Sequence, residues 1–168
     1  DAEQAIRALI REAFPDHGII GEEFGRENEA ARYQWVIDPI DGTRSFISGI
    51  PLWGTLVGLT DKGDAVAGMM SQPFTGELFW ADETSSQYSG PGGDRQLKTR
   101  PTKTLAEAMM CTTTPRMFKE RRSEVYDQLE RSVKLARYGT DCYAYVMLAS
   151  GSIDLVVETS LQTYDIMA

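Results

Sequence analysis

The spacing of apolar residues changes along the chain, and each change predicts a different element. Ala2–Phe14 carries apolar residues at every third or fourth position, which predicts an amphipathic helix that ends at Pro15 and turns Leu9 and Ile10 toward a core. After Pro15 the apolar residues come in short runs bounded by Gly, Pro and Asp, which is typical of strands. The predicted strands are Gly18–Gly21, Tyr33–Ile37, a strand that starts at Leu52, Ala65–Ser71, Glu77–Ala81, Leu135–Tyr138 and Ile153–Val157.

Helical spacing returns further along the chain, and polar stretches between the elements predict loops. The further predicted helices are Thr43–Ile47, Pro115–Val133 and a buried helix at Asp141–Ser150. Arg26–Arg32 predicts a surface loop, and Ser85–Asp94, which is rich in Ser and Gly, predicts a mobile one. Strands come in runs, with helices between the groups. This order predicts a layered α/β (α+β) fold rather than one doubly wound sheet.

The composition indicates a globular domain with an excess of acidic groups. The chain has 168 residues, of which 42% are hydrophobic and 25% charged, which suits one domain with a sizeable core. The formal net charge of -8 argues against nucleic acid and anionic membranes as partners. Because no apolar run approaches the ~18 residues of a membrane span, we expect a cytoplasmic protein. An anionic substrate would need something other than side-chain charge to neutralise it.

The sequence holds few ligands for a soft metal ion. Cys111 and Cys142 lack CxxC spacing, and His17 is the single histidine, which leaves too few ligands for a zinc cluster. We expect both cysteines to be buried, reduced thiols.

The stretch WVIDPIDGTRSF places two aspartates three residues apart at the end of a predicted strand. Pro39 stiffens the backbone between Asp38 and Asp41, and Gly42 can adopt backbone angles that other residues avoid. Two like charges this close repel unless a cation lies between them, and hard oxygen ligands favour Mg²⁺, or Mn²⁺ in its place. The carbonyl oxygen of Ile40 is within reach of the same ion. The alternative is an Asp-Pro turn followed by an aspartate helix cap.

The backbone directly after the two aspartates is suited to bind a phosphate group. The short helix predicted at Thr43–Ile47 begins there. The first amides of a helix have no partner within it, so they are free to donate to a phosphate oxygen.

Two other kinds of site have similar sequence motifs, and the spacing of the residues excludes both. An EF-hand loop counted from Asp38 needs oxygen ligands at its third and fifth positions, where the chain has Ile40 and Gly42. Aspartyl-phosphate phosphatases need a nucleophilic aspartate two residues before Asp41, where the chain has Pro39. Water must therefore be the attacking group.

Three motifs together resemble those of the inositol monophosphatase superfamily. They are GEE at 21–23, DPIDGT at 38–43 and YDIMA at 164–168. The resemblance implies Mg²⁺-dependent, lithium-sensitive phosphomonoesterases with an αβαβα sandwich fold. It also implies a single catalytic region over 1–168, truncated at both ends, with 1–110 in its first half and 111–168 at the start of its second. The stretches CTTTP, YGTDCYAY and SIDLVVE are most similar to the histidinol-phosphate phosphatase branch.

The resemblance assigns metal-binding and catalytic roles within these motifs. Glu22, with Glu23 as a second choice, would bind metal and help to activate the attacking water, which Thr43 would orient. Asp38 would bridge two metal ions and so take part in catalysis. The ions would be two or three Mg²⁺, with Mn²⁺ as a substitute and Li⁺ as an inhibitor. The implied metal ligands are the side chains of Glu22, Asp38, Asp41 and Asp165 and the carbonyl group of Ile40.

A second set of residues would contact the substrate. The amides of Gly42 and Thr43 would hold a phosphate oxygen. Glu158 and Asp141 would suit the positively charged amine of histidinol better than a neutral polyol. Their alternative roles are an exposed strand end and a helix cap. The implied substrate-binding residues are Gly42, Thr43, Gly139, Thr140, Asp141, Glu158 and Asp165.

From these roles we expect a metal-dependent phosphoric monoester hydrolase that converts L-histidinol phosphate to L-histidinol and phosphate in histidine biosynthesis. The alternative substrate is inositol 1-phosphate or another small phosphate ester. A second alternative is an inactive fragment that binds metal. Superfamily members are often dimers, so a homodimer is also expected.

Overall fold

The computed structural model describes residues 2–168, and its first sheet has eight strands. They are β1 (Gly18–Gly21), β2 (Gly25–Glu27), β3 (Tyr33–Asp41), β4 (Gly54–Asp61), β5 (Asp64–Gln72), β6 (Glu77–Asp82), β7 (Ser86–Ser89) and β8 (Arg95–Gln96). The order in the sheet is β2-β1-β3-β4-β5-β6-β7-β8. Neighbours are antiparallel apart from β1 and β3, which run parallel.

The second sheet has three parallel strands, which are β9 (Met109–Thr112), β10 (Leu135–Tyr138) and β11 (Leu155–Val156). Their order in the sheet is β10-β9-β11. The α-helices are α1 (Ala2–Ala13), α2 (Thr43–Ile47), α3 (Arg121–Ser132), α4 (Tyr143–Ala149) and α5 (Thr163–Ile166). Short 3-10 turns lie at Leu105–Glu107 and Pro115–Met117.

Helix α4 lies between the two sheets and packs on both. Ala144 packs with Cys111 of β9 and with Ile153, just before β11. Val146 and Cys142 pack on the first sheet, in a core that contains Leu56, Met70, Phe79, Tyr88 and Leu97. The layered α/β architecture predicted from the sequence is confirmed.

Helix α1 turns a partly charged face toward the first sheet. Ile10 packs on Ile19 of β1, as the helical spacing predicted. The prediction that Leu9 faces the core was wrong, because this side chain is 67% exposed. Glu3 and Arg7 are buried instead, and they pair with each other.

Two segments predicted as loops contain strands. The first residues of Arg26–Arg32 belong to β2, which pairs with β1. The predicted mobile loop Ser85–Asp94 contains β7, in which Tyr88 is buried against Phe79 and lies beneath the guanidinium group of Arg95. The burial of one aromatic ring thus fixes a stretch whose polar composition indicated a loop.

Several predicted elements have different bounds in the structure; the strand predicted at Ile153–Val157, for example, is shortened to Leu155–Val156. The helix predicted at Pro115–Val133 is a 3-10 turn followed by α3, because Glu120 has a φ of 54° and interrupts it. The strand predicted at Tyr33–Ile37 continues to Asp41, so both aspartates lie within β3. The helix predicted from Asp141 begins two residues later, since Asp141 has a φ of 42°.

Two expectations from the composition concern the chain as a whole. Both cysteines are buried and unpaired, as predicted. Within residues 2–168, no helix combines the length and the apolar character that crossing a membrane requires.

Candidate active site

Carboxylates from separate segments meet at the end of β3. Asp38 and Asp41 lie on β3, and Asp165 lies on α5, which packs against β3 and β4. Oxygen atoms of these three carboxylates lie within 4.8 Å of one another. The Asp165 carboxylate also accepts a hydrogen bond from the Gln162 amide at 2.6 Å, which orders the start of α5. The three aspartates form a candidate metal site.

The close approach of α5 depends on two glycines in neighbouring strands. A Cβ atom on Gly58 of β4 would lie 2.0 Å from the carbonyl oxygen of Met167. One on Gly68 of β5 would lie 2.2 Å from the carbonyl carbon of Ala168. A side chain at either position would push the segment that follows Asp165 away from the sheet.

Glu22 approaches the cluster from the neighbouring strand. In the parallel pair of β1 and β3, Gly21 lies opposite Ile37, so Glu22 follows β1 at the level of Asp38. The Glu22 amide donates to the Ile37 carbonyl at 3.1 Å. Its carboxylate is near enough to raise the pKa of Asp38. Glu22 is outside the 4.8 Å group found among the described residues, and Glu22 and Glu23 are both exposed.

The two β3 aspartates are difficult to ionise together. Asp38 is 2% exposed, and burial, followed by the charges of Glu22 and Asp41, raises its pKa to about 8. Burial and then the charge of Asp165 raise the pKa of Asp41 to about 6. A divalent cation among these oxygens would offset the repulsion, and a set of carboxylates suits a hard ion. The donor set therefore fits Mg²⁺.

The chain turns sharply after Asp41 and enters α2. Gly42 has a φ of 81°, in the left-handed region. A Cβ atom at Gly42 would lie 3.1 Å from both the Asp141 Cβ and the Trp53 Cα. Both the backbone angle and the surrounding space therefore favour glycine at this position.

Ile40 and Thr43 are hydrogen-bonded within this turn. The Ile40 amide donates to Oδ1 of Asp38 at 3.0 Å, and its carbonyl accepts from the Thr43 hydroxyl at 3.2 Å. The resemblance assigns the Ile40 carbonyl to a metal ion and the Thr43 hydroxyl to the attacking water. These two groups are therefore hydrogen-bonded to each other. A carbonyl oxygen has two lone pairs, so one remains for another partner.

The segment before α4 lies against the same turn. The Asp141 carboxylate accepts a hydrogen bond from the Ser45 hydroxyl of α2 and does not cap α4. The Cys142 sulfur lies 3.7 Å from the Asp41 carbonyl oxygen, and burial raises the pKa of this thiol, which stays protonated. The Thr140 hydroxyl is buried without a hydrogen-bond partner in the described part of the chain.

Glu158 and Gly139 meet at the end of β9. The Glu158 carboxylate accepts from the Thr113 amide at 2.6 Å, and the Gly139 amide donates to the Thr113 carbonyl at 2.9 Å. Burial raises the pKa of Glu158. Both predicted substrate residues are thus at one edge of the second sheet, and Glu158 is a partly buried acceptor rather than an exposed strand end.

The pKa of Tyr145 responds to both groups of carboxylates, and this residue was not singled out from the sequence. Burial, followed by the charges of Glu158, Asp41 and Asp165, raises its pKa to about 12. The charges of both the aspartate cluster and Glu158 therefore act on this hydroxyl group. The sequence does contain a signal for it, because Tyr145 lies in the helix predicted at Asp141–Ser150, directly after the predicted substrate residues.

Comparisons with known proteins extend these observations. The sequence model of the Inositol monophosphatase family matches residues 1–168. The Bifunctional phosphatase IMPL2, chloroplastic, of Arabidopsis thaliana is 42% identical over 169 residues, which cover 99% of this chain and 48% of that protein. The Histidinol-phosphatase of Chlorobaculum parvum is 33% identical over 168 residues, which cover 100% of this chain and 64% of that protein.

Solved structures show the same fold. An inositol monophosphatase from Zymomonas mobilis superposes with a TM-score of 0.89 and 36% sequence identity over 99% of this chain and 63% of that one. The predicted αβαβα sandwich of the inositol monophosphatase type is therefore confirmed. The chain spans between about half and two thirds of the length of these relatives. Since the family model matches the chain over all its residues, the protein belongs to the inositol monophosphatase family.

Proposed function

We propose that this chain carries the catalytic centre of a metal-dependent phosphomonoesterase, with L-histidinol phosphate as its substrate. The observation that carries the proposal is the meeting of the Asp38, Asp41 and Asp165 carboxylates within 4.8 Å, beside Glu22. Relatives are named Histidinol-phosphatase and Inositol-1-monophosphatase. Hydrolysis of a small phosphate ester is the reaction common to these names.

The four carboxylates, with the Ile40 carbonyl, are the groups that would hold two or three Mg²⁺ ions, or Mn²⁺ in their place. When bound, Mg²⁺ neutralises phosphate charge, lowers the pKa of water and stabilises a leaving oxygen. This accounts for anion binding by a chain with a formal net charge of -8, because bound cations reverse the sign of the local charge. Inhibition by Li⁺ is expected at the same ligands.

The reaction adds water across the ester bond. The water oxygen bonds to phosphorus, and the leaving oxygen keeps the electron pair of the broken P–O bond and takes a proton from solvent, which balances the proton that the attacking water loses. Glu22, beside Asp38, accepts the proton of the attacking water. The Thr43 hydroxyl, held at the Ile40 carbonyl, orients that water. The amides of Gly42 and Thr43 bind a phosphate oxygen at the start of α2.

The surroundings of the cluster favour an ester that carries a positive charge. Asp141 is already bound to Ser45, whereas Glu158 is partly buried and accepts one backbone amide, so we assign Glu158 to the amine of histidinol. The charges of Glu158, Asp41 and Asp165 all act on the pKa of Tyr145, so we assign this side chain to the same part of the substrate. The Histidinol-phosphatase of Streptomyces coelicolor, 33% identical over 174 residues, supports this substrate.

Inositol 1-phosphate is the second candidate substrate. The Inositol-1-monophosphatase of Caulobacter vibrioides is 30% identical over 173 residues, which cover 99% of this chain and 67% of that protein. A neutral polyol would use Glu158 as a hydrogen-bond acceptor for a hydroxyl group, without any need for its charge.

The test measures phosphate release from both esters by the complete protein, in Mg²⁺ and in EDTA. We expect Mg²⁺-dependent release with kcat/KM at least about tenfold higher for histidinol phosphate, as one good charge contact provides. Asp38→Asn should lose roughly a thousandfold in rate. Asp61→Asn is the control, because Asp61 pairs with Arg32 and lies at the end of β4 away from the site. This variant should keep the wild-type rate.

Each part of the proposal has its own contradicting result. A preference for inositol 1-phosphate would reject the assigned substrate, and release in EDTA would reject the metal. Binding of Mg²⁺ without turnover of either ester would favour the inactive, metal-binding alternative.

A further inference from the structure

Two charged residues of α1 are buried beside the loop that carries Glu22. Glu3 is 0% exposed and Arg7 is 3% exposed. Charged side chains are seldom buried this deeply unless they are paired and hydrogen-bonded, because removing a charge from water is unfavourable. Their partners therefore indicate what the pair does.

The Glu3 carboxylate binds the backbone directly after Glu22. Its Oε2 accepts from the Glu23 amide at 2.8 Å, and its Oε1 accepts from the Phe24 amide at 3.3 Å. The Glu22 amide itself donates to the Ile37 carbonyl of β3 at 3.1 Å. Three consecutive amides thus have fixed acceptors, and the Glu22 backbone is held from both β3 and α1.

Arg7 holds the same loop and fixes the Glu3 carboxylate. Its Nε donates to Glu3 Oε1 at 2.7 Å, its Nη2 to the Gly25 carbonyl at 2.5 Å and its Nη1 to Glu27 at 3.2 Å. A Cβ atom on Gly21 would lie 1.9 Å from Glu3 Oε1. The residue before Glu22 is therefore a glycine because the Glu3 carboxylate occupies the space of a side chain.

We propose that Glu3, paired with Arg7, is a positioning residue of the metal centre, which fixes the Glu22 backbone so that the Glu22 carboxylate meets Asp38. This inference rests on the proposed function, since Glu22 is a ligand only if the site binds metal. Glu3 acts through the amides of Glu23 and Phe24.

A purely structural role would not require charged side chains at these positions. Well-packed apolar residues in place of a buried ion pair often leave stability unchanged or improve it. The amides of Glu23 and Phe24, however, need an acceptor where Glu3 lies, and a carboxylate is a strong one. A loop that is already ordered loses less conformational freedom when an ion binds, so this contact raises metal affinity.

The test compares Glu3→Gln with Asp154→Asn. Asp154 is a matched control because its carboxylate also binds an arginine, Arg100, at 2.7 Å and a backbone amide, that of Met109, at 2.7 Å, but in the second sheet. Two quantities are measured on the complete protein without substrate. One is Mn²⁺ affinity by calorimetry, and the other is the hydrogen-exchange rate of the Glu23 and Phe24 amides in EDTA.

The amides of Glu23 and Phe24 bind different oxygens of Glu3, and glutamine replaces one of these oxygens with an NH2 group and has no charge for Arg7. We expect Glu3→Gln to weaken Mn²⁺ binding by about 10- to 100-fold. Exchange at both amides should become at least about tenfold faster, because their acceptors are weakened. Asp154→Asn should change neither quantity. Glu3→Asp, which keeps the charge but is one methylene group shorter, is measured in the same way if Glu3→Gln does not fold.

The outcomes separate this inference from the proposed function. Unchanged Mn²⁺ affinity in Glu3→Gln, or equal losses in Glu3→Gln and Asp154→Asn, would overturn the inference even if the wild-type protein hydrolyses its ester. Weakened Mn²⁺ binding in Glu3→Gln alone would support the inference, whether or not the wild-type protein turns over. A wild-type protein that binds no Mn²⁺ would overturn both.

Discussion

Asp38 combines deep burial with neighbouring carboxylates. With pKa values of about 8 for Asp38 and about 6 for Asp41, the metal-free cluster is partly protonated near neutral pH. A divalent cation must displace these protons, so metal binding releases protons and becomes tighter as pH rises. The same protons also link the stability of the metal-free protein to pH.

In EDTA, the stability of the protein should fall as pH rises from about 5.5 to about 8.5. An unperturbed aspartate titrates at 3.8, so the folded state binds more protons than the unfolded state across this window. The free energy of unfolding then decreases with pH. We expect calorimetry to show Tm dropping by roughly 4 °C or more, and a much smaller drop for Asp38→Asn. A Tm that rises with pH in the wild-type protein would contradict the raised pKa values.

At the residue scale, the sequence predicts what depends on local spacing. Asp38 and Asp41 stand three residues apart, and this spacing predicted a hard cation, with an Asp-Pro turn and a helix cap as the alternative. Glu22 and Asp165 needed the resemblance, because spacing does not say which distant segments meet. Glu3 was not predictable, since a charged residue in an amphipathic helix is expected to face solvent. Only its contacts with a neighbouring loop reverse that expectation.

The junction of β3 and α2 is the element that shapes the site. The pairing of β3 with β4 shifts register between Asp38 and Asp41, which makes a bulge. The Thr55 hydroxyl of β4 donates to the Pro39 carbonyl at 2.9 Å and holds this bulge. Gly42 then turns the chain into α2 with a φ of 81°.

Gly42→Ala should damage this junction more than Gly49→Ala, although both residues have positive φ, 81° and 70°. The backbone strain of about 1–2 kcal/mol is common to both changes. Only at Gly42 would the new methyl group crowd other atoms, at 3.1 Å, and it should add roughly 1–3 kcal/mol. Urea unfolding of both variants and their Mg²⁺ affinities measure the difference. Equal losses of stability and affinity would show that crowding at Gly42 is unimportant.

At the element scale, sequence patterns predicted α1 and the strands β1, β3, β4, β5, β6 and β10, which have clear apolar periodicity. Strand β9 and helix α5 were missed, although β1 and β10, which are equally short, were predicted. Strand β7 was predicted as a loop because its polar residues outweigh Tyr88, whose burial depends on the rest of the sheet. These short elements form through packing rather than through local preference.

In the whole molecule, α4 connects the two sheets around the site. The Tyr143 hydroxyl donates to Glu77 of β6 at 2.5 Å. Just before the helix, Asp141 binds Ser45. These contacts join the sheet that carries Asp38 to the one that carries the segment leading to Glu158. The position of the aspartate cluster relative to the predicted substrate residues therefore depends on α4.

Tyr143→Phe should reduce stability without changing the metal site. Loss of the hydrogen bond to Glu77 should lower the free energy of unfolding by about 1–3 kcal/mol, because the acceptor is charged. Tyr138→Phe, which removes an exposed hydroxyl bound to Glu130, should change it by less than about 0.5 kcal/mol. Thermal unfolding measures both, and Mg²⁺ affinity should stay at the wild-type value. Equal effects of the two changes would contradict a connecting role for Tyr143.

The most direct measurement of the central claim is an anomalous difference map from crystals of the complete protein grown with Mn²⁺. We expect a peak about 2.1 Å from carboxylate oxygens of Asp38, Asp41 and Asp165, with Glu22 bound to the same ion or to a second one beside it. A peak at other residues, or a saturated crystal in which Glu22 and Asp165 point away from the ion, would contradict the account.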